Sequence, residues 1–184
     1  MMSWSPVGWP VLHIQTLISS PPDFLTDRTA SSKSGLASSV TVHDYGAPVG
    51  WRLALAHPER ITAIISQNGN AYEEGLGDAW APIQKYWADP TPENRRALND
   101  FPTPASIRWQ YLEGVTDPSR VSPDGYTLEG MQVLRAGNAE IQLDLLLNYA
   151  SNVKMYPMFQ QYFREYQPPL LAVWGKHDPF FMAA

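Results

Sequence analysis

The chain has 184 residues, enough for one medium domain or for a core with an inserted subdomain, and its 44% hydrophobic and 12% aromatic content can fill a packed interior. Thirteen basic against 18 acidic residues leave a net charge of -5, which excludes a general nucleic-acid binder and offers no basic stripe to an anionic membrane. The absence of cysteine excludes a disulfide framework and thiolate chemistry and leans toward the cytoplasm.

Residues 1–40 are rich in serine and hold no sustained helical period. Leu12, Ile14, Thr16 and Ile18 alternate as a strand does, Pro21 and Pro22 break the segment, and residues 31–39 read as loop or frayed helix. No basic residue precedes Arg28, and His13, Gln15 and Thr16 interrupt the apolar stretch, so neither a signal peptide nor a membrane span is expected. The partner expected of such a chain is a small apolar molecule.

Residues 41–58, TVHDYGAPVGWRLALAHP, organise the rest. Val40 to His43 read as a strand, Gly46 and Ala47 permit a sharp turn, and Val49, Leu53 and Ala56 recur at helical spacing. A strand-turn-helix elbow of this kind lifts the side chain at its apex above a sheet, beside backbone N–H groups at a helix N-terminus. The apex is Asp44. Two roles are open to it: a nucleophilic carboxylate, or a cap for the helix that follows.

Pro58 ends that helix, and residues 60–66, RITAIIS, form a continuous apolar run suited to a strand buried on both faces of a parallel sheet. Beyond Asn68 the sequence turns aromatic, proline-rich and strand-poor as far as Gln167, the pattern of an inserted helical subdomain. Thr91 and Pro92 open a helix as cap and first residue, residues 117–125 (DPSRVSPDG) carry turn chemistry, and residues 140–149 and 157–166 are helices. Pro168 and Pro169 close the insertion, and LLAVW at 170–174 rejoins the sheet as a buried-type strand, followed by a turn with Asp178. The division expected is 1–67 as the first part of a core, 68–167 as a helical cap, and 168–184 as the returning core strand. No metal-ligand cluster, phosphate-cradling glycine pattern or dinucleotide fingerprint is present, so no cofactor is inferred.

Together, VHDYGAPVGWRLALAHPERI and the distant PPLLAVWGKHDPFF resemble the α/β-hydrolase superfamily, in particular its epoxide hydrolase and haloalkane dehalogenase branch. The resemblance covers residues 42–181 and implies a partial α/β-hydrolase fold with a mostly parallel sheet and an inserted helical cap. It implies that Asp44 attacks an sp³ carbon to give a covalent alkyl ester, that the Tyr45 N–H is an oxyanion donor, and that Asp178 is the acid that orients a histidine. The competing reading of Asp178 is a turn aspartate before proline. The resemblance further makes Tyr149 a lid residue assisting the leaving group, with Trp109 and Tyr111 as substrate-binding candidates of the same segment. Each tyrosine is equally open to a packing role.

Three departures stand out. Val42 occupies a position, two before the nucleophile, that is usually small. None of His13, His43, His57 and His177 matches the family's base, and its histidine-glycine oxyanion turn has no counterpart here, so the chain as written is expected to be hydrolytically inactive, marginally stable and prone to aggregate or dimerise. A non-catalytic protein binding small molecules or a partner through its aromatic segment is the alternative.

Overall fold

The computed structural model describes residues 17–19 and 37–183. Leu12, Ile14, Thr16, His13 and the prolines at 21 and 22 lie outside them. The described chain is α/β: a four-stranded sheet in the order β1 (Leu17–Ser19), β2 (Ser38–His43), β3 (Ile61–Gln67) and β4 (Leu170–Val173), together with seven α-helices. β1 runs antiparallel to β2, whereas β2, β3 and β4 are mutually parallel. The register sets Val40 beside Ile64 and Ile64 beside Leu170. β2 begins two residues earlier than the sequence suggests: Ser38 and Ser39 pair with Ile61 and Ala63, so ladder hydrogen bonds override the weak strand propensity of serine.

The chain divides into two compact units. The first, described at residues 17–19, 37–72 and 155–174, holds the whole sheet with α1 (Gly46–Ala56) and the later helix of residues 156–166. α1 packs on one face of the sheet, where Val40, Val42, Ile64, Ala47, Trp51 and Ala54 are all buried. Each valine and isoleucine among them contributes roughly 1.5–3 kcal/mol on leaving water. Helix 156–166 lies with this unit, not with the insertion, because Phe163 meets Trp51 edge-on at 5.1 Å and Gln160 donates to the Ala71 carbonyl at 2.9 Å.

The expectation that β3 and β4 are buried on both faces does not hold for the described residues. On β3 the side chains of Ile64 and Ser66 are buried while Ile65 is 38% exposed, and on β4 Leu170 and Leu171 are 55% and 57% exposed. On one face Val40, Val42, Ile64 and Ser66 are buried, but the cover stops short of β4, where Leu170 continues the Ile64 row and is still exposed. The row of Ile65 and Leu171 lies open.

The second unit, described at residues 73–154 and 175–183, is helical: α2 (Ala81–Ala88), α3 (Pro92–Arg96), α4 (Pro104–Leu112), α5 (Pro123–Val133) and α6 (Asn138–Val153). Helix 156–166 is then α7 (Tyr156–Tyr166). Three of these helices start alike. Thr91, Thr103 and Ser122 each accept a backbone N–H through their hydroxyl oxygen, and each precedes a proline in the first turn. The turn expected across 117–125 is therefore corrected. Only its first part is a turn, a 3-10 segment at Pro118–Arg120, and Pro123 already lies in α5.

A hydrogen-bonded node ties helices α2, α3 and α6 together. Arg95 donates to the Tyr86 hydroxyl at 3.0 Å and to Asp144 at 2.8 Å, and it also reaches Glu140. Among the described residues no helix is long and apolar enough to cross a membrane.

Candidate active site

The elbow is built by register. His43 pairs with Gln67 at the carboxyl ends of two parallel strands, and the next N–H, that of Asp44, donates to the Gln67 carbonyl at 3.1 Å. The chain then reverses within one residue. Asp44 has φ +46°, left-handed territory that costs a non-glycine residue about 1 kcal/mol or more and persists only where the surroundings impose it. The Ala47 N–H closes the turn on the Asp44 carbonyl at 2.9 Å, and α1 departs from Gly46. Tyr45, not Asp44, holds the cap position of α1, and no side-chain capping bond is made from it.

The valine that departs from the usual small residue is accommodated from the helix side. Val42 is fully buried, and a Cβ added at Gly50 would stand 2.3 Å from Val42 Cγ1. Strand and helix thus meet through a glycine, and the bulk lost on α1 is the bulk gained on β2.

Tyr45 is buried beside the apex. Desolvation holds its phenol above the usual range; Asp44 adds to that rise, and Arg52 opposes it. His43 is pushed down by burial, which favours its neutral form. The tip of β3 repeats the geometry of β2. Asn68 is buried with φ +48°, and its N–H donates to Val173 at 3.1 Å. Two residues on, buried Asn70 accepts the Tyr72 N–H at 3.0 Å, donates to the Tyr72 carbonyl at 2.8 Å and to the Tyr156 hydroxyl at 3.4 Å, and receives the Trp51 indole N–H on its own carbonyl at 3.1 Å. Neither asparagine is singled out by the sequence reading. The available signal was the run QNGN directly after a strand, at the end of the sheet where parallel α/β folds place their ligands.

The remaining candidates belong to the helical unit. Asp178 is buried, and its Oδ1 accepts the N–H groups of Phe180 at 2.9 Å and Phe181 at 3.0 Å. It therefore shapes the turn in which it sits, and that turn delivers two rings into an aromatic cluster. Phe181 lies 5.4 Å from Trp80 and 6.3 Å from Tyr149, while Phe180 is met edge-on by Trp109 at 6.1 Å and by Phe101 at 6.0 Å. Tyr149 is wholly buried between Trp80 and Trp87, the latter stacked on it at 6.2 Å. Trp109 keeps 42% of its surface exposed.

Tyr111 is placed elsewhere, in a core with Ile107, Val121 and Val133. Its hydroxyl donates to Glu129 at 2.7 Å, and burial first, then that carboxylate, push the phenol well above its ordinary value. The structure thus gathers Asp178, Tyr149 and Trp109 around one aromatic cluster, keeps Tyr111 in another, and sets Asp44 and Tyr45 in the sheet unit. Among the described residues no group of three or more His, Asp or Glu side chains could hold a metal ion.

No family model matches the chain. It is similar to a Saccharomyces cerevisiae protein named an uncharacterized hydrolase, 43% identical over 148 residues, an alignment that covers 78% of this chain and 51% of the relative. The chain spans about half the length of the curated relative it matches. The similarity is thus to a hydrolase, and the relative's name specifies no substrate.

Proposed function

We propose that the chain is the nucleophile-bearing part of a hydrolase in which Asp44 attacks an epoxide or a carbon-halogen bond. The observation that carries this reading is the left-handed backbone of Asp44 at the tip of a parallel strand, two residues before a helix. That conformation is the one an elbow nucleophile needs, and a carboxylate there attacks an sp³ carbon where a serine would attack a carbonyl. The similarity to a hydrolase supports the broad class.

In the first step an Asp44 carboxylate oxygen forms a C–O bond to the substrate carbon while the C–O bond of the epoxide, or the C–halogen bond, breaks. The electron pair leaves as an alkoxide, which takes a proton, or as halide. In the second step water adds to the ester carbonyl, releases the alcohol and restores the carboxylate. That step needs a base. His43 adjoins Asp44 in a setting that favours the neutral ring, His57 lies exposed beside Glu59 beyond the end of α1, and His177 is exposed on the turn before Asp178. None is matched to the family's base, so the ester formed by this chain accumulates.

The test is mass spectrometry of the Asp44 peptide after brief exposure of the chain to a small epoxide and to a haloalkane. A stable adduct on Asp44, absent from Asp44→Asn, is the expected result. An adduct located elsewhere, or equal labelling of Asp44→Asn, rejects the nucleophile.

A further inference from the structure

The helix α5 is apolar on two sides. Its inner side is accounted for by α4: a Cβ at Gly125 would meet the Tyr111 ring at 2.9 Å, one at Gly130 would meet Pro104 at 3.2 Å, Glu129 holds the Tyr111 hydroxyl, and Val133 is buried. The outer side carries Asp124, Leu128 and Met131 at i, i+4 and i+7, one row of an α-helix, and Arg135 continues the same spacing just past the helix end. There the Arg135 N–H bonds back to Gln132 at 3.2 Å and keeps the chain wound. All four side chains are exposed, Leu128 at 59% and Met131 at 66%.

The order of this row is acid, apolar, apolar, base. Turned end for end, it meets its own complement. Leu128 and Met131 are symmetric about a point between Glu129 and Gly130, and so are Asp124 and Arg135. We propose that this face binds the same face of a second copy of the chain, with the two α5 helices antiparallel about a two-fold axis. Met131 of each copy then packs on Leu128 of the other, and each Asp124 pairs with the opposing Arg135. Such an isologous contact uses one patch twice. A lipid surface fits less well, because the row presents an acid and the chain has a net charge of -5.

Sedimentation equilibrium of the 184-residue chain tests this, with charge variants serving as the internal control. The wild type self-associates, Met131→Glu raises the dissociation constant more than tenfold, and Leu171→Glu on the open sheet face leaves it unchanged. Asp124→Arg and Arg135→Asp each weaken association by about tenfold, since each replaces two symmetry-related attractions with repulsions. The double variant recovers most of the loss. The proposal is overturned by a monomer at ~100 µM, a range in which a specific contact of this kind is populated. It is equally overturned by association abolished through Leu171→Glu but not Met131→Glu, by a double variant no better than the singles, or by Met131-dependent binding to anionic vesicles in place of dimerisation.

Discussion

Replacing Gly50 with alanine tests the fit between α1 and β2 on which the elbow stands. The new methyl would lie 2.3 Å from Val42 Cγ1, roughly 1 Å short of the ~3.5 Å at which two carbons rest. Val42 cannot yield easily: it is fully buried and, being β-branched, is stiff at χ1. The helix or the strand must therefore move. Overpacking of this kind costs about 1–3 kcal/mol, which outweighs the ~1 kcal/mol that alanine gains over glycine inside a helix. We expect Gly50→Ala to destabilise the chain by up to about 2 kcal/mol in urea unfolding. In the background of Val42→Ala the clash is gone and the same substitution becomes neutral or stabilising. Equal effects of Gly50→Ala in both backgrounds would refute the argument.

Two further expectations concern the other unit and the open face of the sheet. Tyr111 has its phenol raised by burial and by Glu129, so its neutral form is favoured in the folded state; its contribution is complete below about pH 10 and is lost as pH climbs from there toward the raised folded value. Alkaline unfolding followed by circular dichroism is expected to fall off less steeply with pH for Tyr111→Phe than for wild type, and identical slopes would exclude the effect. On β4, Leu171→Lys is expected to change stability by no more than about 0.5 kcal/mol, because the side chain is already 57% exposed on an edge strand. A large loss of thermal stability would mean that Leu171 is packed.

The sheet and the elbow were legible because their signals are local. An apolar run of strand length, small residues at a turn and helical spacing lie within residues 40–66, and β3 and β4 fall within a residue or two of the expected runs. α6 and α7 were legible for the same reason. The start of β2 was not, since Ser38 and Ser39 become strand only through pairing with Ile61 and Ala63. α5 was hidden by residues with two meanings: Ser122 and Pro123 serve a turn equally well as a cap and first helical residue, and the DPSRVSPDG run contains both. At the site, the apex position of Asp44 followed from chain order, but the turn-holding bonds of Asp178 and the pairing of Tyr111 with Glu129 depend on which elements meet. No spacing rule carries that information.

The node at Asn70 bears on how the helical unit is inserted. The chain leaves the sheet unit after Tyr72 and re-enters it at Met155. Asn70 on the outgoing side bonds the Tyr156 hydroxyl on the incoming side, and Gln160 bonds the Ala71 carbonyl. Exit and entry are therefore clasped together by side chains that belong to the sheet unit itself. For a segment with clasped ends, the closure entropy rises only with the logarithm of its length, so a doubling adds about 0.6 kcal/mol. Length in the excursion therefore carries only a small closure cost, whereas the elbow is constrained atom by atom through Val42 and Gly50.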